Sequence, residues 1–228
     1  DFLATEVLRD ERLVEPGLLR RLGSLRLATC EPRGAIALLD RAATQEAQPI
    51  ARHFVTQDSL LAAFAVGDAA DFETRLEDYL QSARDELASA SPVARTLAIA
   101  EGVRTLMGRH AQAAAAHVAA TCLAPDLDEL LTTSVDEDAR RVRLQHLVAL
   151  AAALAPQASA PEPRGTLVQV LERVLATPDA SREALRTLAM SGVLRVRLGE
   201  ARWFAQAAGR VAPDPDSPLD DVDAWSRF

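Results

Sequence analysis

The sequence contains no lysine and no asparagine, so every basic side chain other than histidine is an arginine. That bias fits a GC-rich coding sequence and carries no mechanism of its own. Aromatic residues make up only 4% of the chain, and Val and Ile are few and scattered. No long stretch alternates apolar and polar residues, so no half-buried strand is predicted. The net charge of -8 argues against a general nucleic-acid binder, whose footprint is a basic face. No apolar run is long enough to span a bilayer: Leu147–Ala155 is short and flanked by charge. No secretory leader precedes the first polar residues. A cytoplasmic, membrane-free protein is therefore expected, and the start at Asp1 in place of Met points to a piece of a longer polypeptide.

The signatures of chemistry are also missing. There is no Gly-rich phosphate loop, no paired Cys motif, no His-Glu-x-x-His and no Gly-x-Ser-x-Gly. His110 and His117 lie on one predicted helix, roughly 10 Å apart along its axis, too far to share one metal ion. His53 and His146 are isolated. Glu73, Glu77 and Asp78 form an acidic run with no His or Cys at ligand spacing, and read as a solvated helix face. Cys30 and Cys122 sit in Ala/Leu-rich helical settings, where free Cys behaves as a small buried hydrophobe. No enzyme activity, metal or other cofactor is expected.

What the chain has is alanine and leucine, the strongest helix formers, in a sequence that is 49% hydrophobic. An all-α fold follows. Pro16-Gly17 opens a helix running to about Cys30, and Glu31-Pro32-Arg33-Gly34 is the expected turn. Helix 33–47 carries Ala35, Leu38, Leu39 and Ala42 on one face, and Pro49 closes this first hairpin. A second hairpin pairs 51–66 with 69–88 across Gly67-Asp68. A third pairs 92–107 with 110–122 across Gly108-Arg109-His110, after a Ser91-Pro92 start signal. Ser134 to Glu137 reads as a capping box, followed by the basic trio Arg140, Arg141 and Arg143. That trio has the composition of an anion site, but pairing with Asp136, Glu137 and Asp138 on the same helix is the expected arrangement. Residues 155–163, rich in Pro and Ala, read as a flexible or extended linker between an N-terminal body (1–154) and C-terminal helices (164–213). An acidic tail, 214–228, contains Trp225 and Phe228.

A small-residue pattern recurs through these helices. Leu19, Leu22 and Gly23 are followed by Ala35 and Ala42; Gly102 is followed by Gly108, Ala114 and Pro125; a partial copy runs from Leu188 and Gly192 to Ala205 and Pro213. Gly or Ala lets a partner helix approach, and a large residue such as Leu39 or Val118 fills the space beside it. On these residues the chain resembles the tetratricopeptide repeat, well over 16–125 and weakly over 165–213. The aromatic positions of that family's first helix are not aromatic here. The resemblance implies a right-handed α-solenoid of stacked antiparallel helical hairpins, each burying its apolar face against the next. Gly67 to Phe72 and Leu106 to Ala113 are similar to repeat arrays of large bacterial signalling regulators. The order from Ser91-Pro92 to Leu131 is also similar to the helical-repeat half of subunits in the proteasome lid and COP9 signalosome.

The resemblance implies a protein-protein interaction scaffold whose concave surface holds a peptide or partner domain. Arg20, Ser24, Gln57, Arg104, Met107, Arg186 and Arg197 are the groove candidates, and the arginines suit an acidic ligand or a C-terminal carboxylate. The alternative is a structural subunit of a larger assembly.

Overall fold

The computed structural model describes residues 15–132, 136–177, 182 and 184–188. Among these residues all regular structure is helical and no strand occurs. The helices are α1 (Pro16–Ala28), α2 (Pro32–Gln45), α3 (Pro49–Val66), α4 (Ala69–Asp85), α5 (Pro92–Gly108), α6 (Gln112–Cys122), α7 (Leu127–Leu131), α8 (Glu137–Leu154) and α9 (Pro161–Ala176), with a 3₁₀ turn at Ala124–Asp126. Residues 184–188 are also helical.

Proline sets the starts. Pro16, Pro32, Pro49, Pro92 and Pro161 are each the first residue of a helix, where the missing N–H has no intrahelical partner to lose. Three sequence expectations are corrected here. Pro32 and Gly34 belong to α2 rather than to the turn, and Pro49 begins α3 rather than closing a hairpin. The 155–163 stretch is not an extended linker. Ala155, Pro156 and Ala158 are buried, and Pro161 to Pro163 are already helical. Other starts are capped by side chains. Asp68 accepts from Ala70 N and Asp71 N at 3.0 and 3.2 Å, and Ser91 accepts from Ala94 N at 3.3 Å. For α8 the cap is Asp136, which accepts from Ala139 N at 2.9 Å. Ser134, expected in that role, lies outside the described residues, as do Arg197 and the 214–228 tail.

The chain divides into two compact units, Asp1–Ala90 and Ser91–Phe228. In the first unit α1 packs on α2, α2 on α3, α3 on α4, and α1 also reaches α3. Its core holds Leu19, Leu38, Leu39 and Val55 beside Ala35, Ala42 and Ala62. A Cβ placed on Gly23 would lie 2.8 Å from Leu39 Cγ, so glycine there sets how closely α1 and α2 approach. In the second unit α5 packs on α6 and α8, and α9 packs on α6 and α8. The helix at the centre, α6, buries Ala114, Ala115, Ala116, Val118 and Ala119. Methyl-sized side chains let three neighbours approach it.

Two turns bend without glycine. Cys30 and His110 adopt positive φ of 62° and 65°, while Gly34 lies within α2 and Gly108 is the last residue of α5. Cys30 is consequently exposed at the end of α1, and Cys122 is half-buried, so neither is the buried hydrophobe that composition suggests. No described helix is long and apolar enough to cross a membrane.

Candidate functional site

Charged side chains in both units bridge helices that packing brings together. In the first unit Arg20 of α1 places Nε 2.7 Å from Asp58 Oδ2 of α3 and its guanidinium 5.4 Å from the Phe54 ring. Ser24, one turn on, donates to Arg20 O at 3.0 Å and to Asp58 at 3.3 Å. Arg75 of α4 reaches back to α2, placing Nη1 and Nη2 at 2.6 and 3.1 Å from the two Asp40 oxygens, with Nε 3.0 Å from Asp71. The Asp40 hydrogen bond raises the Arg75 guanidinium above its ordinary value. Arg52 of α3 donates Nη1 to Glu86 at 2.6 Å and both Nε and Nη2 to Glu46 O.

These last two arginines flank a cleft of about 290 Å³ formed by α2, α3 and α4. Its wall includes four carboxylates, from Asp40, Asp78, Asp85 and Glu86, against two guanidinium groups. Both guanidinium groups are bound internally, so what the cleft presents outward is mainly acceptors. Beneath it, His53 is fully buried against Tyr79, with ring centroids 4.9 Å apart, and its Nδ1 lies 3.1 Å from the Ser82 hydroxyl that lines the cleft. Burial lowers the His53 pKa to about 4.

In the second unit the bridging residue is Arg143 of α8, only 4% exposed. Its Nη2 donates to Asp126 at 2.7 Å and its Nη1 to Glu129 at 2.7 Å. Arg95 of α5 adds a second cation to Asp126 at 3.3 Å. The hydrogen bond from Arg143 holds the Glu129 carboxyl below its ordinary range, against the opposing effect of burial. Arg143→Met should therefore lower the unfolding free energy by about 2 kcal/mol, short of the full cost of breaking a buried pair because solvent reaches Glu129. Arg141→Met, on the exposed side of the same helix, should change it by less than about 0.5 kcal/mol. Urea titrations of the two variants check the contrast.

The residues expected to line one groove are placed differently from one another. Arg20 and Ser24 meet at Asp58. Gln57 is buried with its Oε1 unpaired among the described residues, which removes it from an open surface. Arg104 is exposed, 3.7 Å from Glu101, and Met107 is half-buried one turn further along α5. Arg186 is half-buried. Arg197 lies outside the described residues. Glu73, Glu77 and Asp78 are all exposed on α4. The polar clefts of α2–α4 and the Arg143 knot were not among the sequence candidates. Their partners lie far apart in the chain, Arg75 and Asp40 by 35 residues and Arg143 and Asp126 by 17. No family model matches the chain, and no curated protein or solved structure matches it either.

Proposed function

We propose that the chain is a non-catalytic protein-protein interaction scaffold of tetratricopeptide-like hairpins stacked as an α-solenoid, working within a larger regulatory or signalling protein. The observation that carries this reading is the contact order of the helices. In the first unit each helix packs on its successor and α1 also meets α3; in the second, α5 packs on α6 and α8 on α9, and contacts join the two pairs through α5 with α8 and α6 with α9. Stacked hairpins with short connections produce that pattern, and they present long polar faces that suit a partner polypeptide. The cleft of α2–α4 supports it further, because a preformed surface of acceptors held by internal arginines needs little ordering on binding.

The test is capture of partners from the source organism on the immobilised chain, with wild type beside an Asp78→Arg, Asp85→Arg variant. Loss of defined partners in the variant supports the scaffold. Identical partner sets, or none with either bait, overturn it. A second reading, a structural subunit of an assembly of the proteasome-lid kind, is favoured by Leu18 and Leu25. They are 42% and 59% exposed on one side of α1, as a face meant for a neighbouring subunit would be. A Leu18→Glu, Leu25→Glu variant that loses its partners while the cleft variant keeps them would favour that reading.

A further inference from the structure

The basic trio on α8 is divided by the fold among three environments. Arg141 is half exposed and lies 3.0 Å from Asp138. Arg143 is buried in its fork with Asp126 and Glu129. Arg140 is different. Its side chain is only 14% exposed, and its nearest carboxylate, Glu137, stands at 3.6 Å, beyond hydrogen-bonding distance. Its Nε is buried with no acceptor among the described residues, and so is the Nε of Arg143. A guanidinium has five N–H donors and no acceptor of its own. Such an under-paired guanidinium is costly to bury, and an acceptor from outside the chain improves its pairing.

Arg140 and Arg143 line one cavity of about 310 Å³, closed by Ser91 and Pro92 at the start of α5 and by Glu129 and Asp136. The positive end of a 17-residue helix thus borders the same space as the two arginine side chains. We propose that this cavity binds a carboxylate of a partner polypeptide, with Arg140 as its principal donor. The proposal rests on the interaction-scaffold reading and names the chemistry of one contact. A carboxylate fits because a guanidinium fork takes its two oxygens side by side. A single negative charge fits because Glu129 and Asp136 share the wall and would repel a dianion. The volume is that of a small-ligand pocket and admits an acidic side chain or a chain terminus.

Titration of the full chain, ¹⁵N-labelled, with sodium acetate at constant ionic strength tests the site, read at the arginine Nε–H resonances. The signal that vanishes in Arg140→Gln identifies Arg140. It should move saturably with acetate, and a blocked Gly-Glu-Gly tripeptide should reproduce the shift. Acetate affinity, followed in the variant at the Arg143 Nε–H, should fall about tenfold or more in Arg140→Gln, the loss of one charge-assisted bidentate contact. Arg141→Gln should bind as wild type does. Removing Arg140 removes an unmet donor, so its variant should fold at least as well as wild type, and the urea midpoint confirms this. Shifts that grow linearly, match those from chloride, or survive in Arg140→Gln overturn the site. Tighter binding of inorganic phosphate than of acetate overturns the carboxylate assignment, and acetate binding without tripeptide binding overturns the polypeptide one. The two readings fail separately. Absence of partners in the capture experiment leaves the acetate result untouched, and absence of saturation leaves the hairpin scaffold untouched.

Discussion

Leu39→Ala should destabilise the first unit by about 3 kcal/mol, and Gly23→Ala should partly rescue it. Leu39 is fully buried among Leu19, Leu38, Val55 and three alanines, so its truncation removes apolar contacts and leaves a cavity. In the wild type the added methyl of Gly23→Ala would lie 2.8 and 2.9 Å from Leu39 Cγ and Cδ2, closer than carbon atoms tolerate. The branch point of a fully buried leucine cannot swing aside. Overpacking of this kind costs about 1–3 kcal/mol, against which the better helix propensity of alanine returns about 1. Gly23→Ala alone should therefore destabilise by about 1 kcal/mol. With Leu39 cut back to alanine, the obstructing atoms are gone, the methyl occupies part of the void, and only the propensity gain remains. The same substitution should then stabilise by about 1 kcal/mol, a coupling of roughly 2 kcal/mol across the α1–α2 contact. Urea titrations of the four proteins measure it, with the ring resonances of Tyr79, the chain's single tyrosine, reporting the first unit. Simple additivity of the two changes would show that glycine and leucine do not interlock.

That pair was legible in the sequence only through the repeat resemblance, which sets a small residue of one helix beside a large residue of the next. The all-helical class was legible because composition and period agree over the whole chain. Boundaries were less so, and proline accounts for most of the errors. At Pro32, Pro49 and Pro161 a residue that both stops and starts helices was read as a turn, an end and a linker, and in each case it begins a helix. Glycine misled in the other direction. Two of the left-handed turns use Cys30 and His110, with the glycines near them helical, while Gly67 does end α3 at a φ of 79°. The charged clusters were the least visible. Pairing Arg140, Arg141 and Arg143 with acids one turn away succeeds for Arg141 and, loosely, for Arg140. It fails for Arg143, whose partners belong to the preceding 3₁₀ turn and α7 and are brought near only by packing. His53 was an isolated histidine in sequence. Its environment is created by α4, which lays Tyr79 over one side of the ring and Ser82 against Nδ1.

His53 should make the first unit acid-sensitive by about 2–3 kcal/mol between roughly pH 7.5 and pH 4.5. Its folded pKa is about 4, well below the ordinary 6.5, because burial disfavours the imidazolium. The unfolded chain therefore binds a proton that the folded chain refuses throughout that interval. Stability is full above the unfolded value, falls as pH drops through the window, and levels off below about 4, where both states are protonated. The structure supplies the reason. A doubly protonated ring would need acceptors at both nitrogens, and Nε2 is buried with none among the described residues. The groups shown against the ring, Phe54, Tyr79 and Ser82, are all neutral and offer no compensating charge. Carboxylates titrate over part of the same range, so the informative quantity is the difference from His53→Phe, which keeps an aromatic ring against Tyr79 and carries no titrating group. The variant should show a pH slope shallower by about 2–3 kcal/mol over the interval, measured by urea titration at each pH. Parallel slopes would mean that the ring is solvated or finds an acceptor when charged.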